Sequence, residues 1–452
     1  MVNALWYVLA FVAVASASWL AVGLIRSLAR RCNVLDVPNE RSSHDRPMPL
    51  GGGLAIVLIS VAACAFFGFV HPAISPRHAL IFLIGALLVA GISLLDDLGH
   101  VRYQTRLGLH AVAAIIFVVG YGYWDTLNLP LLGTITLGLL GIPLTFFWIV
   151  GLTNAYNFMD GVDGMAAGQA VVAGLGWILL GGLTGHPLLI TAGVFLAASS
   201  LGFLLHNWHP ATIFMGDVGS TFLGFSFAVL PIIAARTEPK LALAGVLLVW
   251  PTIFDSGFTV IRRLRQGENL FVGHRTFLFH RLVGAGWSHS QAASFYLSLP
   301  ILGAMLAFTW DRGTPPLHLT VVIAVAGACA SLWLVVCQQE RRLSAPQVPP
   351  SALLDGEPLA HADALSLNGF QDAWSAPLEN VPPPRRIGVS NLPREMGAPS
   401  GPSTWDGVER RSGLDRRSGK DRRRETKRGR ERRVSPGRRA TDLLPTFRAM
   451  SV

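Results

Sequence analysis

Residues 79–97 read ALIFLIGALLVAGISLLDD: seventeen uncharged, mostly apolar residues that stop on two adjacent carboxylates, Asp96 and Asp97. A helix that crosses a bilayer needs roughly 20 such residues. Backbone inside lipid must satisfy its own hydrogen bonds, and a lone run of this length does so only as a helix. Runs of the same kind recur at 3–25, 51–70, 107–123, 131–150, 167–182, 187–205, 219–235, 241–257, 293–309 and 317–337. The chain therefore reads as all-α, a polytopic membrane bundle of about eleven spans filling residues 1–340. Composition agrees. Of 452 residues, 51% are hydrophobic and 14% are charged, against about 25% charged in soluble domains, so too little polar surface remains for a water-facing fold.

The run at 3–25 has no Lys or Arg before Arg26. It is expected to be an uncleaved first helix with its N-terminus outside, not a signal peptide. The four cysteines, Cys32, Cys64, Cys329 and Cys337, show no paired spacing and are expected to pack rather than to bridge or bind metal.

If the spans alternate, the connections fall into two sets. The segments 26–50, 96–106, 151–166, 206–218 and 258–291 hold twelve Lys or Arg, and the opposite set holds four, Arg77, Arg236, Lys240 and Arg312. The excess places the first set in the cytoplasm and the N-terminus in the periplasm of a bacterial inner membrane. The acidic and histidine-bearing motifs share that face, which suggests one site.

Asp96 and Asp97 sit at a membrane boundary, where acids are costly unless they are solvated, paired or cation-bound. The sharpest motif is NAYNFMDGVDG, in which Asn154, Asn157, Asp160 and Asp163 stand three apart. On a helix that spacing puts two amides and two carboxylates on one face. Asp217 follows in IFMGDVGST, just before a span, where its ordinary role is a helix cap. Clustered Asp and Asn without thiols form a hard oxygen donor set suited to Mg²⁺ or Mn²⁺. Mg²⁺ held this way commonly shares its shell with substrate phosphates, which points to phosphoryl or diphosphate chemistry.

The longest internal loop carries His274, Arg275, His280 and Arg281 among Phe277, Phe279 and Trp287. These side chains suit a diphosphate, and a surface amphipathic helix is the plainer alternative. Arg262, Arg263 and Arg265 are expected to anchor in headgroups, and His289 to act as a local cap. Ser43 and His44 lie in a Pro- and Gly-rich segment that reads as a shaped loop able to close over a nucleotide, or as a connector.

In combination, PNERSSH with the glycine run 51–53, the DD pair, NAYNFMDGVDG, FMGDVGS and the His/Arg loop resemble the polyprenyl-phosphate N-acetylhexosamine-1-phosphate transferase family. The resemblance covers residues 34–287. It implies a UDP-N-acetylhexosamine donor, undecaprenyl phosphate as acceptor, and UMP as leaving group. It implies Asp217 as the principal Mg²⁺ ligand, with Asp96 or Asp97 assisting or deprotonating the lipid phosphate. Asn154, Asn157, Asp160 and Asp163 would hold the nucleotide-sugar and shape the metal site. His274, Arg275, His280 and Arg281, with Ser43 and His44, would bind substrate. The triple histidine of the peptidoglycan branch is absent. The run HRTFLFHR, with Phe277 where a histidine often stands, looks closer to the O-antigen and capsule branch, and Leu50 replaces a basic residue common before the glycine run.

Two other classes compete. A membrane prenyltransferase would show an aspartate-rich repeat, but Asp96-Asp97-Leu98-Gly99-His100 lacks the final acid. A transporter would carry polar residues near span centres. Beyond residue 340 the chain is first Pro/Ser-rich, then carries fifteen Lys or Arg against four acids over 410–439. A disordered cytoplasmic tail that binds anionic lipid is expected. Nucleic acid is not, because aromatics are not interleaved. The pattern leaves the oligomeric state open, a dimer included.

Overall fold

The structure, a computed structural model, describes residues 2–38, 46–70, 75–99, 101–130, 132–270 and 274–344. Ser43 and His44 lie outside the described residues, as does the basic segment 410–439. Thirteen helices follow one another among the described residues: α1 (Val2–Arg31), α2 (Gly53–Val70), α3 (Pro76–Gly99), α4 (Tyr103–Gly120), α5 (Gly141–Phe158), α6 (Met165–Thr184), α7 (Pro187–Asn207), α8 (Asp217–Ala235), α9 (Lys240–Leu248), α10 (Trp250–Arg265), α11 (Leu278–Gly284), α12 (His289–Arg312) and α13 (Pro315–Ser344). The antiparallel pairs β1 (Leu35–Asp36) with β2 (Met48–Pro49), and β3 (Thr126–Leu129) with β4 (Gly133–Thr136), are minor additions. Nine helices among the described residues are long and apolar enough to cross a membrane. The bent pair α9–α10 makes a tenth, and α2 supplies a shorter apolar helix over Gly53–Phe67. The protein is a multi-pass helical membrane protein.

Two expected spans need correction. The run at 131–150 is not helical from its start. Gly133 and Gly138 take positive φ, and Leu127 pairs with Ile135 in the β3–β4 hairpin, so the helix begins at Gly141 and runs to Phe158. The run at 241–257 breaks at Val249, where α9 and α10 meet at 75°. Pro251 lies in the first turn of α10. Its ring has no backbone N–H to donate and is best tolerated in the first turn, which suits a new helix starting at Trp250.

Helix α8 is the axis. Every residue from Val218 to Ala235 is buried, as expected of a helix apolar on all sides, and α3, α5, α9 and α2 pack around it. In lipid such packing relies on small residues that let backbones approach. Gly224 is one: a Cβ there would stand 2.8 Å from Tyr156 Cβ and 2.9 Å from Thr153 Cα. That contact sets α5 against α8 and brings the end of α5 to the start of α8. Thr221 Oγ1 donates to Ser93 Oγ at 2.9 Å, which ties α8 to α3 in the same way. A second apolar cluster, including Met159, Met165, Trp250, Phe277, Phe279 and Tyr296, underlies the loop before α11. Helices α1 and α13 turn Leu5, Trp6, Leu20, Ile323 and Leu334 outward, the surface that lipid covers.

Candidate active site

The connections at one end of the bundle converge on the N-terminus of α8. Asp97, at the end of α3, accepts from Asp217 N at 2.8 Å and from Val218 N at 3.0 Å. Asp97 is therefore the cap of α8, the role that position alone would give to Asp217. Gly216 makes this possible. Its φ of 79° and ψ of 167° lie where only glycine rests easily, and a Cβ there would sit 2.6 Å from Asp97 Oδ2. With its cap supplied from α3, the Asp217 side chain is left to the site.

Arg106, in the first turn of α4, pairs with Asp96 at 2.6 Å and also with Asp217. Asp96 additionally accepts from Val101 N at 2.7 Å, which closes the turn between α3 and α4. From α5, Asn157 lies beside the Asp217 carboxylate and donates to Ser220 Oγ at 3.2 Å. Side chains of four helices thus meet around one carboxylate. Asn154 does not join them, because its amide folds back on Val150 O at 2.7 Å.

The expected single face of Asn154, Asn157, Asp160 and Asp163 is corrected here. Helix α5 ends at Phe158, and Asp160 and Asp163 lie on the turn before α6. Gly164, at φ 76°, then leads into α6. Asp160 stays beside the first group. Its burial and then the charges of Asp217, Asp97 and Asp163 hold its carboxyl well above the usual range. Asp163 turns elsewhere. It accepts from His209 Nδ1 at 2.7 Å and Ala211 N at 3.2 Å, and His289 Nδ1 lies 3.5 Å away. Burial pushes the Asp163 carboxyl up, but the nearby His289 and the bonds from His209 and Ala211 outweigh it and leave it below the ordinary value. Asn207 staples the two loops together, accepting from Gly164 N at 2.9 Å and donating to Ile213 O at 3.0 Å.

The His/Arg loop reaches this region through His280, whose Nε2 would stand 2.8 Å from a Cβ on Gly161. Burial first, then the charges of Arg275, His274 and His289, pull His280 down to about 3. Burial and the Arg263 charge pull His274 down to about 4. Both rings are therefore neutral at pH 7 and can donate an N–H without adding charge. Arg275 is exposed. Arg281 is committed away from the carboxylates: buried, it forms a two-bonded pair with Glu340 of α13 at 2.7 and 2.5 Å. Two of the three arginines that end α10 also differ from expectation, while Arg265 is exposed. Arg262 and Arg263 are 5% and 4% exposed. Arg263 pairs with Glu268 at 2.6 Å, and Arg262 donates to Thr276 O at 3.3 Å, so they brace the loop from within.

Several participants were missed in the sequence, Arg106 and Asn207 among them. His209 stands in a connection that offers no spacing signal, and His289 begins a helix whose true cap is Ser288, in a reciprocal pair with Gln291. Asp255 is buried on α10 and reads as part of an apolar run.

Residues 79–235 match glycosyl transferase family 4. Among similar proteins, a probable undecaprenyl-phosphate N-acetylglucosaminyl 1-phosphate transferase of Bacillus subtilis is 31% identical over 303 residues, covering 66% of this chain and 83% of the relative. A decaprenyl-phosphate N-acetylglucosaminephosphotransferase of Mycobacterium leprae is 35% identical, covering 61% of this chain and 76% of the relative. A phospho-N-acetylmuramoyl-pentapeptide-transferase of a Synechococcus strain is 30% identical, covering 59% and 80%.

Proposed function

The chain belongs to glycosyl transferase family 4, the polyprenyl-phosphate N-acetylhexosamine-1-phosphate transferases, and is a phosphotransferase acting on polyprenyl phosphate; from this premise we propose that it moves N-acetylglucosamine 1-phosphate from UDP-N-acetylglucosamine to undecaprenyl phosphate. UMP leaves, and the product is the first lipid-linked intermediate of a cell-envelope polysaccharide such as an O-antigen or capsule. The sugar and the lipid are those named for the Bacillus relative. The site faces the cytoplasm of the inner membrane, as the basic connections indicate, and the segment 410–439 adds attraction to anionic lipid.

The observation that carries this reading is the meeting of Asp97, Asp217, Arg106 and Asn157, from α3, α8, α4 and α5, at one end of the bundle. The donor set fits Mg²⁺. Asp96 and Asp217 share the guanidinium of Arg106, Asp97 caps the helix that carries Asp217, and Asp160 is raised by its burial and then by the charges of Asp217, Asp97 and Asp163. Asp217 would hold the ion with Asp97 and Asp160. Bound there, Mg²⁺ supplies charge neutralisation for a diphosphate.

The protein's own groups then position and orient. A phosphate oxygen of the lipid attacks the sugar-linked phosphorus, a new P–O bond forms, and the bond to UMP breaks. Asp96 holds Arg106 in place. Asp163, His209 and His289 form a polar wall beside Asp160 where the nucleotide is held. His280 and His274 donate N–H groups, and Arg275 brings charge to the diphosphate. Fixing both reactants in line accounts for much of the acceleration such a site gives.

The test is UMP release from UDP-N-acetylglucosamine, UDP-N-acetylgalactosamine and UDP-glucose with undecaprenyl phosphate. Transfer from UDP-N-acetylglucosamine is expected to exceed the others by at least tenfold. Absence of UMP with every donor would overturn the reading.

A further inference from the structure

Asp255 is a fully buried acid in α10, and an acid inside a membrane bundle is expensive unless hydrogen bonds satisfy it. It collects four. Leu278 N donates at 2.7 Å, Phe279 N at 3.3 Å, Tyr296 OH at 2.7 Å and Thr259 Oγ1 at 3.3 Å. The donors come from three helices, α10, α11 and α12.

Helix α11 has seven residues, too few to persist alone in water. Phe277, at its N-cap position, offers no capping side chain, so its first N–H groups would be orphans. Asp255 accepts two of them from another helix. Above it, Phe277 and Phe279 stack at 5.7 Å, Tyr296 meets Phe279 edge-on at 6.0 Å, and the His280 ring lies 4.0 Å from that of Phe279. His280 is therefore placed against Gly161 by α10 and α12 rather than by its own loop.

We infer that Asp255 and Tyr296 are positioning residues for the transfer, which pin the first turn of α11 and so hold His280 beside the turn that carries Asp160. The inference rests on the reading of the 274–280 loop as a diphosphate-binding element. Asp255 acts through the loop and touches no substrate.

The experiment uses the full chain with Asp255→Asn, Asp255→Ala and Tyr296→Phe, read three ways: UMP release against UDP-N-acetylglucosamine concentration, melting temperature, and amide exchange at 278–279. Tyr296→Phe removes one hydroxyl and guards against a misfolded Asp255 variant. It should raise KM for the donor three- to tenfold with kcat within about twofold. Asp255→Asn should raise KM further, and Asp255→Ala most. Both should speed exchange at 278–279 at least tenfold while amides of α8 stay protected. Parental KM in Tyr296→Phe and Asp255→Asn, or loss confined to melting temperature, overturns the inference. If the parent releases no UMP from any donor, the diphosphate reading fails by itself. Amide exchange then decides the anchor: unchanged protection at 278–279 in Asp255→Asn overturns it.

Discussion

Gly216→Ala adds one methyl group and no charge, yet it should disable the site. At φ 79° and ψ 167°, a non-glycine residue costs about 1–3 kcal/mol in backbone strain. The new Cβ would also fall 2.6 Å from Asp97 Oδ2 and 3.1 Å from Oδ1, so the carboxylate must leave. It would then forfeit its bonds to Asp217 N and Val218 N. Hydrogen bonds to a charged group contribute about 1.5–3 kcal/mol each. The summed local cost is on the order of 4–9 kcal/mol, well above the ~2.7 kcal/mol that a hundredfold loss of rate requires. The substitution lies at the mouth of α8, ahead of its buried length, so the bundle should persist. The assay is UMP release beside circular dichroism and melting of the same detergent-solubilised samples. Transfer should fall at least a hundredfold with helix content unchanged. Activity within threefold of the parent would refute the role given to Asp97 at the α8 N-terminus.

Asp217→Asn should abolish detectable UMP release, and Asp160→Asn should lower it more than a hundredfold, each checked by steady-state turnover. His209→Ala and His289→Ala, which remove the partners of Asp163, should raise KM for the UDP-sugar about tenfold and leave KM for undecaprenyl phosphate within twofold. For pH, His280 has a folded value of about 3 against about 6.5 unfolded. The unfolded chain therefore binds the extra proton between these values, and stability is retained above pH 6.5 and falls as pH drops toward 3. His280→Gln should flatten the fall in melting temperature between pH 6.5 and 4 relative to the parent.

Much of the fold was legible because membrane spans are written in composition. The run before Asp96 stops within the last turns of α3, which ends at Gly99, and the hydrophobic stretch of α8 begins at its acid. The errors fell where local backbone geometry overrode hydropathy: the glycine-rich hairpin before α5, and the bend at Val249 between α9 and α10. Of the site, the acids were visible because an acid at a membrane boundary needs a reason. Their partners were not. Arg106, Asn207 and His209 come together only through tertiary contact. Equal spacing in NAYNFMDGVDG suggested one helical face, whereas α5 ends at Phe158 and the turn that follows sends Asp160 and Asp163 to different neighbours. Arg281 looked like its neighbours in the motif but is held by Glu340, 59 residues away.

The account stands on oxygen ligands from separate helices gathering a divalent ion with a diphosphate. Mn²⁺ titration followed by electron paramagnetic resonance, with UDP-N-acetylglucosamine present, measures this without turnover. The parent should bind one ion per chain with an affinity at least tenfold stronger with the nucleotide-sugar than without it, and Asp217→Asn should lose that ion. Equal Mn²⁺ binding by parent and Asp217→Asn would contradict it.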